Sequence, residues 1–347
     1  VSADRLLQQV WYRRTPIVLF VALLPLSWLF GALAAIRRAF YKLGLFRVVK
    51  VARPVLVVGN VTVGGTGKTP LVIWLAERLA VHGATVGIVT RGYGGRSTQW
   101  PVEVTRHSSP EDVGDEAVLL AMRTNAIVVA GPDRAAAALR AIECGATIVV
   151  SDDGLQHYRL GRDAEIVVVD AQRRFGNGWL LPAGPLREKA QRANRADLIV
   201  ESVRVATDAT QRSTAVRSVQ DLREAINLST GEKRSLDSFR GRRVHAVAAI
   251  GHPDAFFAML ARHGIELDRH PLPDHARLSA DEIRFDDGNP VLMTEKDAVK
   301  CRAFADERHW AVPLAVTFDA ADERKLDDLL VRLVAKSRTI ETAGGSP

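Results

Sequence analysis

The chain has 347 residues, 47% of them hydrophobic, and a formal net charge of +7, which excludes a disordered or fibrous protein and predicts a globular main body with an appended lobe. Its two cysteines, Cys144 and Cys301, exclude a disulfide framework, lack metal-ligand spacing and point to a reducing compartment. The positive balance calls for an anionic partner, either nucleic acid or an anionic membrane face.

Ile17–Ile36 reads I-V-L-F-V-A-L-L-P-L-S-W-L-F-G-A-L-A-A-I, about 20 residues without a charge and long enough to cross a bilayer. A secretory signal carries a shorter apolar core and a small-residue cleavage site. Arg13 and Arg14 precede the stretch while Arg37, Arg38 and Lys42 follow it, so the flanks support the cytoplasmic side without fixing a topology. Pro25 and Gly31 weigh against a simple span. Upstream, Leu6, Leu7, Val10 and Trp11 share one helical face, which suits an interfacial helix. The expectation is a membrane-associated helical segment over residues 1–45; the alternative is a hairpin packed on the protein's own core.

Val55–Pro70 reads V-L-V-V-G-N-V-T-V-G-G-T-G-K-T-P. A β-branched apolar run precedes a loop with Gly64, Gly65 and Gly67, then Lys68-Thr69, then a helical pattern through Leu71, Leu75 and Leu79. This is the strand–glycine loop–helix order of a P-loop. The loop residues Thr62, Val63, Gly64, Gly65, Thr66 and Gly67 would wrap a phosphate with backbone N–H groups. Lys68 would reach the β/γ-phosphates and Thr69 would offer its hydroxyl to Mg²⁺. The usual first glycine of the pattern is Thr62 here. The expected ligand is a nucleoside triphosphate.

From Val55 onward short apolar runs alternate with helical segments, predicting strands at Val55–Val58, Val86–Thr90, Ala126–Ala130, Thr147–Ser151, Glu165–Val169 and Leu198–Glu201, and helices at Thr69–His82, Asp115–Arg123 and Arg134–Cys144. That order predicts an α/β fold: a P-loop NTPase-like, mostly parallel sheet with helices on both faces, an N-terminal membrane-associated helix and a smaller C-terminal α/β lobe. Ligands then gather at the carboxyl ends of the strands. R-G-Y-G-G at Arg91–Gly95 is a tight loop whose arginine could face phosphate or sit on a surface turn. Asp115 and Glu116 open a helix, either as dipole partners or as base and metal ligand. The run Ile148–Ser151 ends in Asp152-Asp153, followed by Gln156-His157, an order that resembles a Walker-B carboxylate; Asp170 closes a second such strand, and either aspartate could merely form a turn. Gly184–Glu188 is a proline-braced loop presenting Arg187 and Glu188, as substrate contacts or as a loop salt bridge.

Residues 202–240 are polar and read as a linker with a hairpin, between a P-loop core at 46–201 and a C-terminal α/β lobe at 241–340. In that lobe R-H-P-L-P-D-H-A-R spans Arg269–Arg277, and V-L-M-T-E-K-D at Val291–Asp297 is an apolar strand ending in a charged cluster. Residues 341–347 read as a disordered tail.

Together these motifs resemble the tetraacyldisaccharide 4'-kinase family of lipid A biosynthesis. The matches are T-V-G-G-T-G-K-T at Thr62–Thr69, R-G-Y-G-G at Arg91–Gly95, G-D-E at Gly114–Glu116, D-D-G-L-Q-H at Asp152–His157, G-P-L-R-E at Gly184–Glu188, D-H at Asp274–His275 and T-E-K-D at Thr294–Asp297. They cover nearly the whole chain in the family's order, behind a family-like N-terminal helix. Ala117 and Lys189 stand where prolines usually follow G-D-E and R-E. The resemblance implies transfer of the ATP γ-phosphoryl group to the 4'-hydroxyl of a tetraacylated glucosamine disaccharide 1-phosphate, a lipid A precursor, at the cytoplasmic face of the Gram-negative inner membrane. It implies Asp115 as base and His275 as its orienting partner, with Lys68 and Thr69 on the phosphates and Mg²⁺. Glu116 with Asp152 or Asp153 become metal or supporting ligands, and Arg91, Gln156, His157, Arg187, Glu188, Glu295 and Lys296 become substrate-contacting or supporting residues. No protein partner is implied.

Three rival readings are weighed against it. A GTPase switch needs an [NT]-K-x-D motif, and in Thr294–Asp297 the lysine falls one place late. A partitioning-type ATPase would hydrolyse ATP with no lipid acceptor. A nucleic-acid binder fits least, because the basic residues are dispersed and no recognition motif occurs.

Overall fold

The computed structural model describes residues 3–12, 17–204, 214–274 and 276–344. The apolar run forms most of one helix, α2 (Ile17–Lys42), preceded by α1 (Ala3–Tyr12); Pro25 lies inside α2 without ending it. One side of the pair docks on the body. Val10 is buried, the Trp11 indole N–H donates to Pro182 O at 2.9 Å, and the Ser27 hydroxyl donates to Leu180 O at 2.8 Å. Gly31 permits the close approach, since a Cβ there would lie 2.8 Å from Leu180 Cδ1. The other side of α2 shows Ile17, Val18, Trp28 and Leu33 to solvent. The helix is long and apolar enough to cross a membrane. One face of the helix is thus packed on the body, and the other is apolar and exposed.

The body follows in chain order: β1 (Val55–Gly59), α3 (Lys68–Val81), β2 (Val86–Thr90), β3 (Val102–Val104), α4 (Pro110–Val113), α5 (Asp115–Arg123), β4 (Ile127–Ala130), α6 (Arg134–Glu143), β5 (Ile148–Asp152), β6 (Ala164–Asp170), β7 (Leu198–Val203) and β8 (Val216–Leu222). A second run holds β9 (Glu224–Asn227), β10 (Lys233–Ser235), β11 (Arg243–Ala248), α7 (Pro253–Ala261), β12 (Glu266–Pro271), α8 (Ala280–Ile283), β13 (Val291–Thr294), α9 (Glu295–Cys301) and β14 (His309–Val312). The chain then returns to the first body through β15 (Leu314–Thr317) and α10 (Ala320–Gly344).

The large sheet has nine strands in the order β15-β8-β7-β6-β1-β5-β2-β4-β3, with parallel pairings throughout the interior and antiparallel strands at both edges. Strands buried on both faces read as continuous β-branched runs, as β1 and β5 do. On one face Leu56 and Val58 pack with Leu71 and Leu75 of α3, Val118 of α5 and Leu330 of α10; on the other Val55 and Val57 pack with Ala137 and Ala141 of α6. This places β1 at the centre, with the glycine loop at its carboxyl end. The small sheet has six strands in the order β10-β9-β14-β13-β11-β12 and its own core around Phe239, Phe257 and Trp310.

The segment read as a linker with a hairpin does hold a hairpin, and it also holds a strand of the main sheet. It carries β8 of the large sheet and the β9–β10 hairpin of the small one. The inward positions of β8 are Val216, Ser218, Gln220 and Leu222, so half of its buried face is polar and the hydrophobic alternation is masked. Likewise α10 packs on α3 of the first body, with Arg78 held by Asp327, and extends through Gly344 over part of the expected tail. Residues 345–347 lie outside the described residues.

Candidate active site

The glycine loop is built by close approach. Gly64 and Gly67 have φ of +97° and +85°, the left-handed region that disfavours a side chain. A Cβ on Gly67 would also lie 2.0 Å from Gln220 Nε2 and 2.7 Å from Ser202 Oγ. The departure at Thr62 has a local reason. Thr62 is buried and bridges to Leu186, Val63 N–H donates to Pro185 O at 2.8 Å, and Arg187 N–H donates to Val61 O at 2.7 Å. The first half of the loop is thus tied to the Gly184–Glu188 segment, and Thr62 does not have a positive φ, so glycine has no advantage there.

Lys68 opens α3 with its ammonium 3.1 Å from Asn60 Oδ1 and 3.3 Å from Asp153 Oδ1, and Thr69 follows on the first turn. Asn60 also approaches Gly64 O at 3.5 Å, bracing the loop across its base. Asp153 sits at a φ of +49°, and Arg187 contacts it at 3.0 Å. Burial opposes its ionisation, but Lys68 and Arg187 hold its carboxyl well below the usual range. Its neighbour behaves oppositely. Burial, then the charge of Glu116, pushes Asp152 up to about 7, against Lys68 and Arg134. Asp152 Oδ1, like Thr66 Oγ1, is buried with no hydrogen-bond partner among the described residues.

Asp115 and Glu116 occupy the N-terminal turn of α5, and Asp115 Oδ1 accepts from Glu116 N–H at 2.9 Å. From the second lobe, α9 brings Lys300 to 3.7 Å from Asp115 Oδ2 and Lys296 to 3.2 Å from Glu116 Oε1. Burial opposes the charge of Lys296, yet Glu116, Asp115 and Asp274 raise its pKa. Lys300 also donates to Ala276 O at 3.1 Å, so the loop around Asp274 reaches the N-terminal end of α5. His275 lies outside the described residues.

The remaining candidates divide. Gln156 and Glu188 join the base of the glycine loop, with Gln156 Nε2 donating to Asn60 O and to Glu188 Oε1, each at 3.1 Å. Burial and the charges of Arg134, Arg91 and Arg37 push His157 down to about 4, so it is neutral at pH 7. Arg91 is exposed at the end of β2, and its charge acts on His157 and Arg134. Glu295 is an inter-lobe strap, bound to Arg123 and accepting from Leu314 N–H at 3.3 Å. Asp170 forms a turn, accepting from Gln172 and Arg173 N–H at 3.0 Å, and pairs with Arg204, which reaches Gly65 O at 3.2 Å.

Sequence reasoning passed over Asn60 and Arg134. Arg134, fully buried, donates to Gly131 O at 2.7 Å and Asp152 O at 3.3 Å; burial lowers its pKa to about 10, against Asp152 and Asp153. Its only sequence trace is a helix start after the capping Asp133, which accepts from Ala135 N–H.

A lysine-bearing glycine loop at the centre of a parallel sheet, faced by buried carboxylates and closed by a second lobe, defines a P-loop kinase. The chain belongs to the tetraacyldisaccharide 4'-kinase family: a family model described as tetraacyldisaccharide-1-P 4'-kinase matches residues 19–335. It is 45% identical over 342 residues to the tetraacyldisaccharide 4'-kinase of Nitrosococcus oceani, covering 98% of each chain. It is 46% identical to that of Alkalilimnicola ehrlichii, covering 93% of this chain and 96% of the relative. Among solved structures it is similar to Aquifex aeolicus LpxK in complex with ATP, with a TM-score of 0.77 and 30% identity over 91% of this chain and 99% of that one.

Proposed function

We propose that this kinase transfers the γ-phosphoryl group of ATP to the 4'-hydroxyl of a tetraacylated disaccharide 1-phosphate, at the cytoplasmic face of the inner membrane. The observation that carries the reading is the Lys68 ammonium beside the glycine loop, 3.3 Å from Asp153, with further carboxylates arriving from two elements. Asp152 and Asp153 come from the end of β5, and Asp115 and Glu116 come from α5, close enough for Glu116 to perturb Asp152.

In this reading the glycine loop and Lys68 hold the β- and γ-phosphates, and Asn60 and Asp153 fix the lysine before ATP arrives. Asp115 accepts the proton of the 4'-hydroxyl as its oxygen bonds to γ-phosphorus; the bond from γ-phosphorus to the bridging oxygen breaks and ADP leaves. His275 orients the base. Mg²⁺ prefers oxygen ligands; the buried Asp152 Oδ1, orphaned among the described residues, with Glu116 close enough to perturb it and the Thr69 hydroxyl on the first turn of α3, would supply them. When bound it neutralises charge on the β/γ oxygens. Asp153, already paired with Lys68 and Arg187, is the less available ligand.

The substrate's acyl chains call for access from a membrane. The solvent-facing apolar side of α2, followed by Arg37, Lys42, Arg47 and Lys50, supports seating on an anionic bilayer. ADP release measured with and without the disaccharide lipid in detergent micelles tests the reading. Acceptor-dependent release is expected, whereas equal release in both would favour an ATPase without a lipid acceptor.

A further inference from the structure

Glu188 is a buried carboxylate, its side chain only 6% exposed, and such a charge persists only when partners compensate it. The Tyr158 hydroxyl and the Gln156 amide donate to it, and Arg192 lies 3.9 Å away. The remaining partner comes from outside the body: Arg38, on the last turns of α2, places Nη1 3.4 Å from Glu188 Oε2. From Glu188 the contacts continue inward without a gap. Gln156 Nε2 spends one hydrogen on Glu188 and the other on Asn60 O. Asn60, fully buried, presents Oδ1 to the Lys68 ammonium and its amide to Gly64 O. An unbroken polar chain therefore runs from the apolar N-terminal helix to the phosphate-binding lysine, each link at 3.5 Å or less.

We propose that Glu188 is a positioning residue for Lys68, and that Arg38 is the residue through which α2 acts on it. Correct seating of α2 thereby sets the geometry of the glycine loop. Arg38 and Glu188 act through Gln156 and Asn60 rather than by touching nucleotide. A buried network of this kind fixes one arrangement because every member is satisfied only in that arrangement. The proposal rests on Lys68 binding phosphate.

The test measures affinity for a fluorescent ATP analogue, together with kcat, KM for the lipid acceptor and the thermal midpoint, in the full chain. Arg38→Gln should weaken nucleotide binding by about three- to tenfold, while the lipid KM stays within twofold of wild type and the midpoint falls only modestly, since Tyr158, Gln156 and Arg192 still compensate Glu188. Arg38→Lys should recover most of the loss. Glu188→Gln should weaken binding further, and Arg38→Gln/Glu188→Gln should be no worse than Glu188→Gln, because the two changes break one chain. Unchanged nucleotide affinity in Arg38→Gln would overturn the proposal, as would losses that multiply in the double variant. A rise confined to the lipid KM would overturn it too, by making Arg38 a substrate contact. Lys68→Ala, measured in parallel, separates the two levels. Normal nucleotide binding in that variant would remove the lysine assignment and the proposal with it, whereas a large loss there alongside normal Arg38 and Glu188 variants would discard only the chain.

Discussion

Burial holds the Asp152 carboxyl protonated up to about pH 7, with Glu116 adding to the effect and Lys68 and Arg134 opposing it. An unfolded aspartate ionises near pH 4. Between those values the folded protein keeps a proton that the unfolded chain has lost, so this group's contribution to stability falls as pH rises through the window and stays at its floor above it. The upper bound on the cost is on the order of 4 kcal/mol. Asp152→Asn removes the charge while keeping the shape. It should raise the thermal midpoint by several degrees at pH 8 and by much less at pH 5, while transfer activity is lost at both. A midpoint that drops at pH 8 would mean the carboxylate is stabilising and the sign is wrong. At this scale the motif residues were legible, because Lys68 and Asp152 follow strands in patterns that phosphate chemistry imposes. Asn60 and Arg134 were not, since one asparagine after a strand and one arginine after a helix cap look the same whether or not they brace a site.

Helix α2 is the element with two duties. Its docked side is defined by Ser27, Gly31 and Arg38, and its free side by large apolar groups, with Val18 82% and Trp28 62% exposed. Burying such side chains in a bilayer contributes roughly 1.5–3 kcal/mol each. Replacing Val18, Trp28 and Leu33 together by Gln should lower co-flotation with anionic phospholipid vesicles more than tenfold, with nucleotide affinity unchanged because these groups face away from the body. Undiminished flotation would move the anchor to another surface. The charge-free run made the helix readable, but its docked side was not, because a serine and a glycine at the right spacing carry no signal without the Leu180 loop they meet. Strand β8 escaped for a related reason: its buried Ser218 and Gln220 donate to Glu201 O and Ser202 Oγ of β7, and Gln220 lies close against Gly67, none of which sequence spacing displays.

On the scale of the whole molecule, the two sheets meet where chemistry is expected. Lys296 and Lys300 of α9 lie against Glu116 and Asp115, and Arg123 reaches Glu295, so the second lobe packs on the N-terminal end of α5 that holds the proposed base. The proposed pairing of Asp115 with His275 requires such an arrangement. Asp115→Asn and His275→Ala should each reduce kcat by about 10²–10⁴-fold with ATP affinity preserved, and the double variant should lose little beyond the worse single. Multiplicative losses would show that the two act independently. The alternation of strands and helices predicted the parallel sheet and a smaller lobe. It did not reveal that the chain leaves the first body at β9 and comes back through β15 and α10, since that return depends on edge pairing with β8 and on packing against α3.

Transfer to the lipid is followed on the phosphorus itself. ATP labelled in its γ-phosphoryl group is incubated with the enzyme, Mg²⁺ and purified tetraacyldisaccharide 1-phosphate in detergent, and the lipid is recovered for phosphorus NMR. One labelled phosphate per disaccharide is expected, bonded to the 4'-oxygen, with one ADP formed for each. Label found only in inorganic phosphate, or on a position other than the 4'-oxygen, would contradict it.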